Sequence, residues 1–242
     1  MWRAVLVVVG MGFLAFAASL LDPPHASSAG QRAVEFATLD CATNRQSVSM
    51  GYVVDDRTVV TVAHALHLSR DHAVRDAFGT WHRADDIEIV RLDLERDLAV
   101  LRIADLRATA APENAAARSV GDWADTPVRM LSARDGDIDA TIVRRVRIET
   151  QVIGDRETTS KRSGYEVDLE IAPGDSGAAL VDASDRLVAL VFARSTRSDG
   201  RTWATATDEI DFSSEVLPTW DCGPDSGARL ELTPREPARL AS

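Results

Sequence analysis

The chain has 242 residues, of which 45% are hydrophobic and 27% charged, and its formal net charge is −11. That composition is globular and excludes collagen-like and low-complexity architectures. The acidic balance argues against nucleic acid or an anionic membrane surface as the main partner. The length exceeds the usual single domain, yet all-β barrels and sandwiches reach it as one unit.

The chain opens with the pattern of an export segment. Met1 to Arg3 is short and basic, Ala4 to Leu21 carries no charge, and small residues follow at Ala26-Ser27-Ser28-Ala29. Residues 1–29 therefore read as a cleaved signal peptide or a retained N-terminal membrane anchor. Either sends the rest of the chain across a membrane, to a periplasmic or secreted location. The chain's two cysteines, Cys41 and Cys222, bracket the region that follows. In an oxidising compartment they would pair; the alternative is two unpaired buried thiols.

Short β-branched runs then alternate with turn chemistry. Strands are expected over Ser47–Val54, Thr58–Val62, Ile87–Leu92 and Asp97–Ile103, with Asp55-Asp56-Arg57 turning the first into the second. A softer stretch, Ala108 to Ala117, reads as a linker between two similar halves, a first of about 34–107 and a second of about 118–222. Strands resume over Pro127–Ser132, Ile138–Glu149, Tyr165–Ile171, Ala178–Asp182, Arg186–Ala193 and Arg201–Ala206. Gly154–Gly164 and Ser195–Gly200 read as polar loops. A short helix is expected near Ser213–Leu217 and a mobile tail from Gly223 onward, over 223–242. No helical pattern of 10–15 residues separates the strands, so the class is all-β, a sandwich or barrel.

Three strings carry chemistry: Thr61-Val62-Ala63-His64-Ala65, Asp97-Leu98-Ala99-Val100-Leu101 and Gly174-Asp175-Ser176-Gly177. A serine hydroxyl is a weak nucleophile until a base takes its proton, and the base needs an orienting acid. Ser176, His64 and Asp97 can fill those roles. Gly174 and Gly177 permit a tight turn that aims backbone N–H groups at one point, which makes the Gly174 and Ser176 amides candidate oxyanion donors. His64, His67, His72 and His82 lie close in sequence, without the Cys or acid spacing of a metal site. With no phosphate loop or dinucleotide fingerprint either, no cofactor or metal is expected. Arg144, Arg145 and Arg147 read as solvated charges, although the adjacent pair cannot share one strand face.

The order His, Asp, Ser is that of chymotrypsin, not of subtilisin or the α/β-hydrolases. The three strings resemble the corresponding elements of the trypsin/chymotrypsin superfamily, with wording similar to bacterial exported and HtrA-type members. The resemblance spans about Ser47 to Leu217. It implies two antiparallel six-stranded β-barrels with the active site in the cleft between them. His64 and Asp97 would then lie in the first barrel and Ser176 in the second.

Ala178 stands where the family usually has a second glycine. No N-terminal activation sequence precedes the first barrel, so Asp175 calls for another partner, with an internal Arg as the candidate. Only 66 residues follow Ser176, so no PDZ domain is expected. Glu170 aligns with the acid at the base of the trypsin-like specificity pocket. Its alternation with Val167, Leu169 and Ile171 equally fits a strand with one wet face. Leu190–Ala193 is the run expected to pair with an extended substrate, with Phe192 and Ala193 near the pocket. The expected activity is that of an exported serine endopeptidase acting on proteins or peptides. The rivals are a catalytically silent binding or scaffold protein of the same fold, and an esterase using the same three residues.

Overall fold

The computed structural model describes residues 30–108, 123–195, 198–211, 213, 222, 230 and 232. The export segment, most of the linker, the expected helix beyond Ser213 and most of the tail lie outside these residues. Among the described residues there is no α-helix, and no helix long and apolar enough to cross a membrane.

The first half forms β1 (Ala33–Asp40), β2 (Gln46–Val53), β3 (Thr58–Thr61), β4 (Ser69–Arg75), β5 (Trp81–Arg83), β6 (Ile87–Asp93) and β7 (Leu98–Ile103). They pair antiparallel in the order β5-β4-β1-β2-β3-β7-β6. The second half forms β8 (Thr126–Ser132), β9 (Gly136–Val152), β10 (Asp155–Asp168), β11 (Ala179–Val181), β12 (Leu187–Arg194) and β13 (Arg201–Ala206). These close into a barrel in the order β10-β13-β12-β11-β8-β9. The fold is the chymotrypsin-like pair of curled antiparallel sheets that the three strings imply. The first sheet has seven strands where six are expected, the short edge strand β5 among them. The turn Asp55-Asp56-Arg57 forms as expected, because Asp55 Oδ1 accepts the Arg57 and Thr58 amides at 2.9 and 2.7 Å.

Each sheet buries its own apolar face, and a third cluster joins them. Val34, Phe36, Val59 and Leu101 pack inside the first sheet, and Met130, Ile142, Tyr165 and Val188 inside the barrel. Tyr52, Val60 and Val100 of the first sheet meet Leu131, Val181 and Leu190 of the barrel. A chain of polar contacts reinforces that seam. Arg32 Nη1 donates to Tyr52 Oη at 2.8 Å, and Tyr52 Oη donates to the Asp185 carbonyl at 3.2 Å.

Of Gly154–Gly164, expected as a polar loop, all but the turn residue Gly154 is instead strand. It pairs with β9 from Asp155 onward, whereas β10 meets β13 only over Gly164–Asp168. The distal part of β9 and β10 is thus a two-stranded arm projecting from the barrel. From Asp155 to Gly164 the arm buries only Arg162 and Gly164 among the residues whose burial is described, neither of them apolar and bulky, so its sequence gives no strand period. The arm reaches the β6–β7 turn: Ile153 N meets the Leu94 carbonyl at 3.5 Å, and Ser160 Oγ donates to the Glu95 carbonyl. Arg144 and Arg145 do take opposite faces, each with an acid. Arg144 Nε meets Glu166 at 2.6 Å, and Arg145 Nη2 meets Asp208 at 2.5 Å.

Cys41 and Cys222 form a disulfide across 181 residues, with Arg70 Nη2 donating to the Cys222 carbonyl at 2.8 Å. Beyond it Leu230 is buried against Ala37, Leu39 and Ala73, with Leu232 packed beside them. The expectation of a mobile tail does not extend to Leu230, whose apolar side chain covers the β1–β4 surface.

Candidate active site

Register places the first two candidate residues together. β3 and β7 are antiparallel with Thr61 opposite Ala99, so the end of β3 and the start of β7 meet at one sheet edge. His64 follows β3 in a single 3-10 turn, Ala63–Ala65, and Asp97 immediately precedes β7. Asp97 has φ 56°, a left-handed conformation that Asp tolerates better than most residues.

Asp97 is 5% exposed and grips His64 at two points. His64 Nδ1 lies 2.9 Å from Asp97 Oδ2 and 3.1 Å from Oδ1, and the His64 amide donates to Oδ1 at 2.8 Å. A carboxylate only accepts, so Nδ1 carries a proton, and in the neutral ring Nε2 is the nitrogen with the lone pair. The imidazole is 38% exposed, which leaves Nε2 open for proton transfer.

The turn that carries Asp97 is itself braced. Asp93 accepts the Arg96 amide at 2.8 Å and Arg96 Nη1 at 2.9 Å. Burial alone would raise the Asp93 carboxyl, but those bonds and Arg91 outweigh it and hold it below the usual range. On the far side of Asp97 the arm delivers Arg162, 3% exposed, whose Nη2 is 3.7 Å from Oδ2.

Ser176 comes from the loop before β11 and docks on the first sheet. The Met50 amide donates to the Ser176 carbonyl at 2.7 Å, and Thr61 Oγ1 donates to the Met50 carbonyl at 2.5 Å. Gly177 has φ +87°, and a Cβ there would stand 2.0 Å from Met50 O and 2.5 Å from Thr61 Oγ1. Only glycine allows the Ser176 loop this close to the strand that leads into His64. Neither Ser176 Oγ nor His64 Nε2 makes a hydrogen bond among the described residues.

Gly177 and Ala178 donate to the Val191 and Asp175 carbonyls, and Asp175 donates to Ala172. The Gly174 and Ser176 amides donate to nothing among the described residues. Asp175, buried between them, finds the internal Arg that its sequence context called for. Arg134 Nη2 meets Oδ1 at 2.5 Å, and Arg134 Nη1 donates to the Pro173 carbonyl at 3.3 Å. The Ala172 amide caps Oδ2 at 2.7 Å. Gly174, with φ +101°, lies under the same guanidinium, where a Cβ would approach Nη1 to 2.8 Å.

Glu170 is exposed just beyond β10, and Leu169 beside it is buried, so this stretch has the wet-face alternation. Phe192 and Ala193 sit at the end of β12, half-buried. A register shift between Val191 and Ala193 leaves Phe192 bulged out of the ladder with β13. Its ring lies 4.4 Å below the Arg162 guanidinium. The other histidines point elsewhere: His72 on β4 faces Thr38, His82 faces Asp76 at 3.5 Å, and His67 lies under Gly154. Sequence reasoning missed Arg134 and Arg162. Both are single arginines in polar turns or ribbons of a chain rich in Arg, and no local signal marks them.

A family model of the trypsin-like peptidase domain matches residues 49–190. The chain belongs to the trypsin-like peptidase family. A search of curated proteins finds no match. Among solved structures, the active form of the Rv3671c protease from M. tuberculosis is similar with TM-score 0.68 and 18% identity, over 84% of this chain and 91% of that one. Its inactive form gives TM-score 0.60 and 20% identity, over 79% and 91%. The HtrA-type protease AlgW with tripeptide gives 0.53 and 21%, over 76% of this chain and 60% of that one. At these identities the likeness shows the fold. Together with the family it makes this trypsin-like chain a protease by class.

Proposed function

We propose that the protein is an exported serine endopeptidase that cleaves proteins or peptides through an acyl-enzyme on Ser176. The observation that carries this reading is the double grip of Asp97 on His64. It fixes the tautomer in which Nε2 can accept a proton, at the edge where the Ser176 loop docks. Ser176 Oγ attacks the peptide carbonyl and His64 Nε2 takes its proton, then delivers it to the leaving amine. Asp97 holds the Nδ1 proton and stabilises the imidazolium. The Gly174 and Ser176 amides receive the oxyanion, and the Arg134–Asp175 pair keeps the loop between them in shape. Water, activated by His64, releases the acyl group.

Beyond Val191 the side of β12 away from β13 has no strand partner among the described residues. An extended peptide can pair there beside Phe192 and Ala193. The basic segment and uncharged run of residues 1–29 support export, and the Cys41–Cys222 disulfide suits an oxidising compartment. A fluorophosphonate probe tests the nucleophile, because it should label the folded protein and spare Ser176→Ala. Absence of labelling in folded, disulfide-intact protein would favour a silent binding protein, and turnover of activated esters alone would favour an esterase. Peptide-library profiling reads the side-chain preference at the scissile bond, including any contribution from Glu170.

A further inference from the structure

Arg162 is a buried cation that the acyl-transfer steps of Ser176, His64 and Asp97 do not themselves call for. It stands on the arm, opposite Ile148 of β9, between Asp97 and the ring of Phe192. Asp97 is therefore faced by two basic groups, His64 from the turn after β3 and Arg162 from β10. A guanidinium is costly to bury unless an acid or an aromatic face compensates it, and this one has both.

We infer that Arg162 is a positioning residue for the His64–Asp97 pair, its charge compensating Asp97 and its stacking on Phe192 tying the pair to the wall of the substrate cleft. This rests on the endopeptidase reading of the site. With His64 neutral, Arg162 and Asp97 balance each other. Protonating His64 sets two cations on one carboxylate, so Arg162 opposes protonation until Ser176 gives up its proton. The other charged groups on these elements are engaged or face solvent. Asp93 is held by Arg91 and Arg96, and Lys161 pairs with Glu149. Glu95 and Arg194 are exposed, and His67 is half-buried beside the arm.

The test is the acid limb of the pH profile, read both as kcat/KM on a peptide and as the rate of fluorophosphonate labelling. Removing the charge in Arg162→Met should move that limb to higher pH by about 0.5–1 unit, the scale of one screened charge a few ångströms beyond the carboxylate. Arg162→Lys should return it close to the wild-type position. A role in packing alone predicts no movement in Arg162→Met and no rescue by lysine, and an unmoved limb in that folded variant overturns the inference. Arg162→Gln, which keeps a hydrogen-bonding head without the charge, repeats the test if the methionine variant does not fold. NMR titration of the His64 ring in a Ser176→Ala background reads the same shift without turnover. If wild-type Ser176 is never labelled, the endopeptidase reading fails, while the ring titration still decides the role of Arg162.

Discussion

Asp97 receives the His64 ring and the His64 backbone amide on one carboxylate, so its acceptor-only chemistry and its shape both matter. Asp97→Asn keeps the shape but can present an N–H to Nδ1, which favours the wrong tautomer. It should lower kcat by about 10⁴-fold with little change in melting temperature; a loss below tenfold would remove Asp97 as the orienter. Arg134 acts one step further out. In Arg134→Met, Asp175 keeps its charge in a buried position with its cation gone, a change that costs about 3–5 kcal/mol. If the loop relaxes so that one oxyanion donor is lost, kcat should fall about 10²–10³-fold. The double variant Arg134→Met with Asp175→Asn should recover most of the stability, which denaturant melts will show. The three strings stood out in the sequence because His64 and Asp97 each adjoin a β-branched or apolar strand run and Ser176 lies between the turn glycines Gly174 and Gly177. Arg134 and Arg162 did not, because their importance comes from what the topology sets beside them.

At the scale of elements, β2, β3, β6, β7 and most of the barrel strands could be read from their β-branched runs. The strands β1, β4 and β5 were not read. β4, Ser69–Arg75, carries three charged residues and a histidine at the margin of the sheet, and β5 is only three residues long. The arm was hidden for a related reason, since the side chain it buries in β10 is an arginine, Arg162, and not part of an apolar alternation. His72 on β4 gives this region a pH signature. Burial pushes its imidazole below the ordinary value, so the fold favours the neutral ring. That contribution is complete above about pH 6.5, the unfolded value, and is lost as pH falls from there through the depressed folded value. Burial lowers His67 in the same direction. His72→Gln should therefore show a smaller fall in melting temperature between pH 7.5 and 5.5 than the wild type; an equal fall would assign the acid lability to other groups.

At the scale of the whole molecule, two devices hold the fold together, a seam between the halves and a disulfide from Cys41 to Cys222. The seam centred on Tyr52 joins β2 to the β11–β12 turn, where Arg129 also reaches Asp185. Burial pushes the Tyr52 phenol up to about 12, so the hydroxyl stays neutral as donor and acceptor throughout the physiological range. Tyr52→Phe leaves the buried Arg32 without that acceptor and should cost about 1–3 kcal/mol in a denaturant melt. The disulfide closes nearly the whole folded unit. Chain entropy gives about 5 kcal/mol for so long a loop, and measured values for disulfides are typically about 2–4. Reduction without denaturant should lower the melting temperature by several degrees, and two thiols titratable without reductant would show that the pair is not bonded. This long-range closure was open to inference from two cysteines in a chain whose first residues have the pattern of an export segment. The docking of Leu230 on β1 and β4 was not, because the stretch around it has the composition of a tail.

The most direct measurement is covalent labelling of the folded, oxidised protein with a fluorophosphonate, followed by identification of the modified residue. Labelling at Ser176, slowed about 10³-fold or more in His64→Ala and absent in Ser176→Ala, is the outcome expected of a base-activated nucleophile. Labelling that persists in Ser176→Ala, or that proceeds at the same rate without His64, would contradict it.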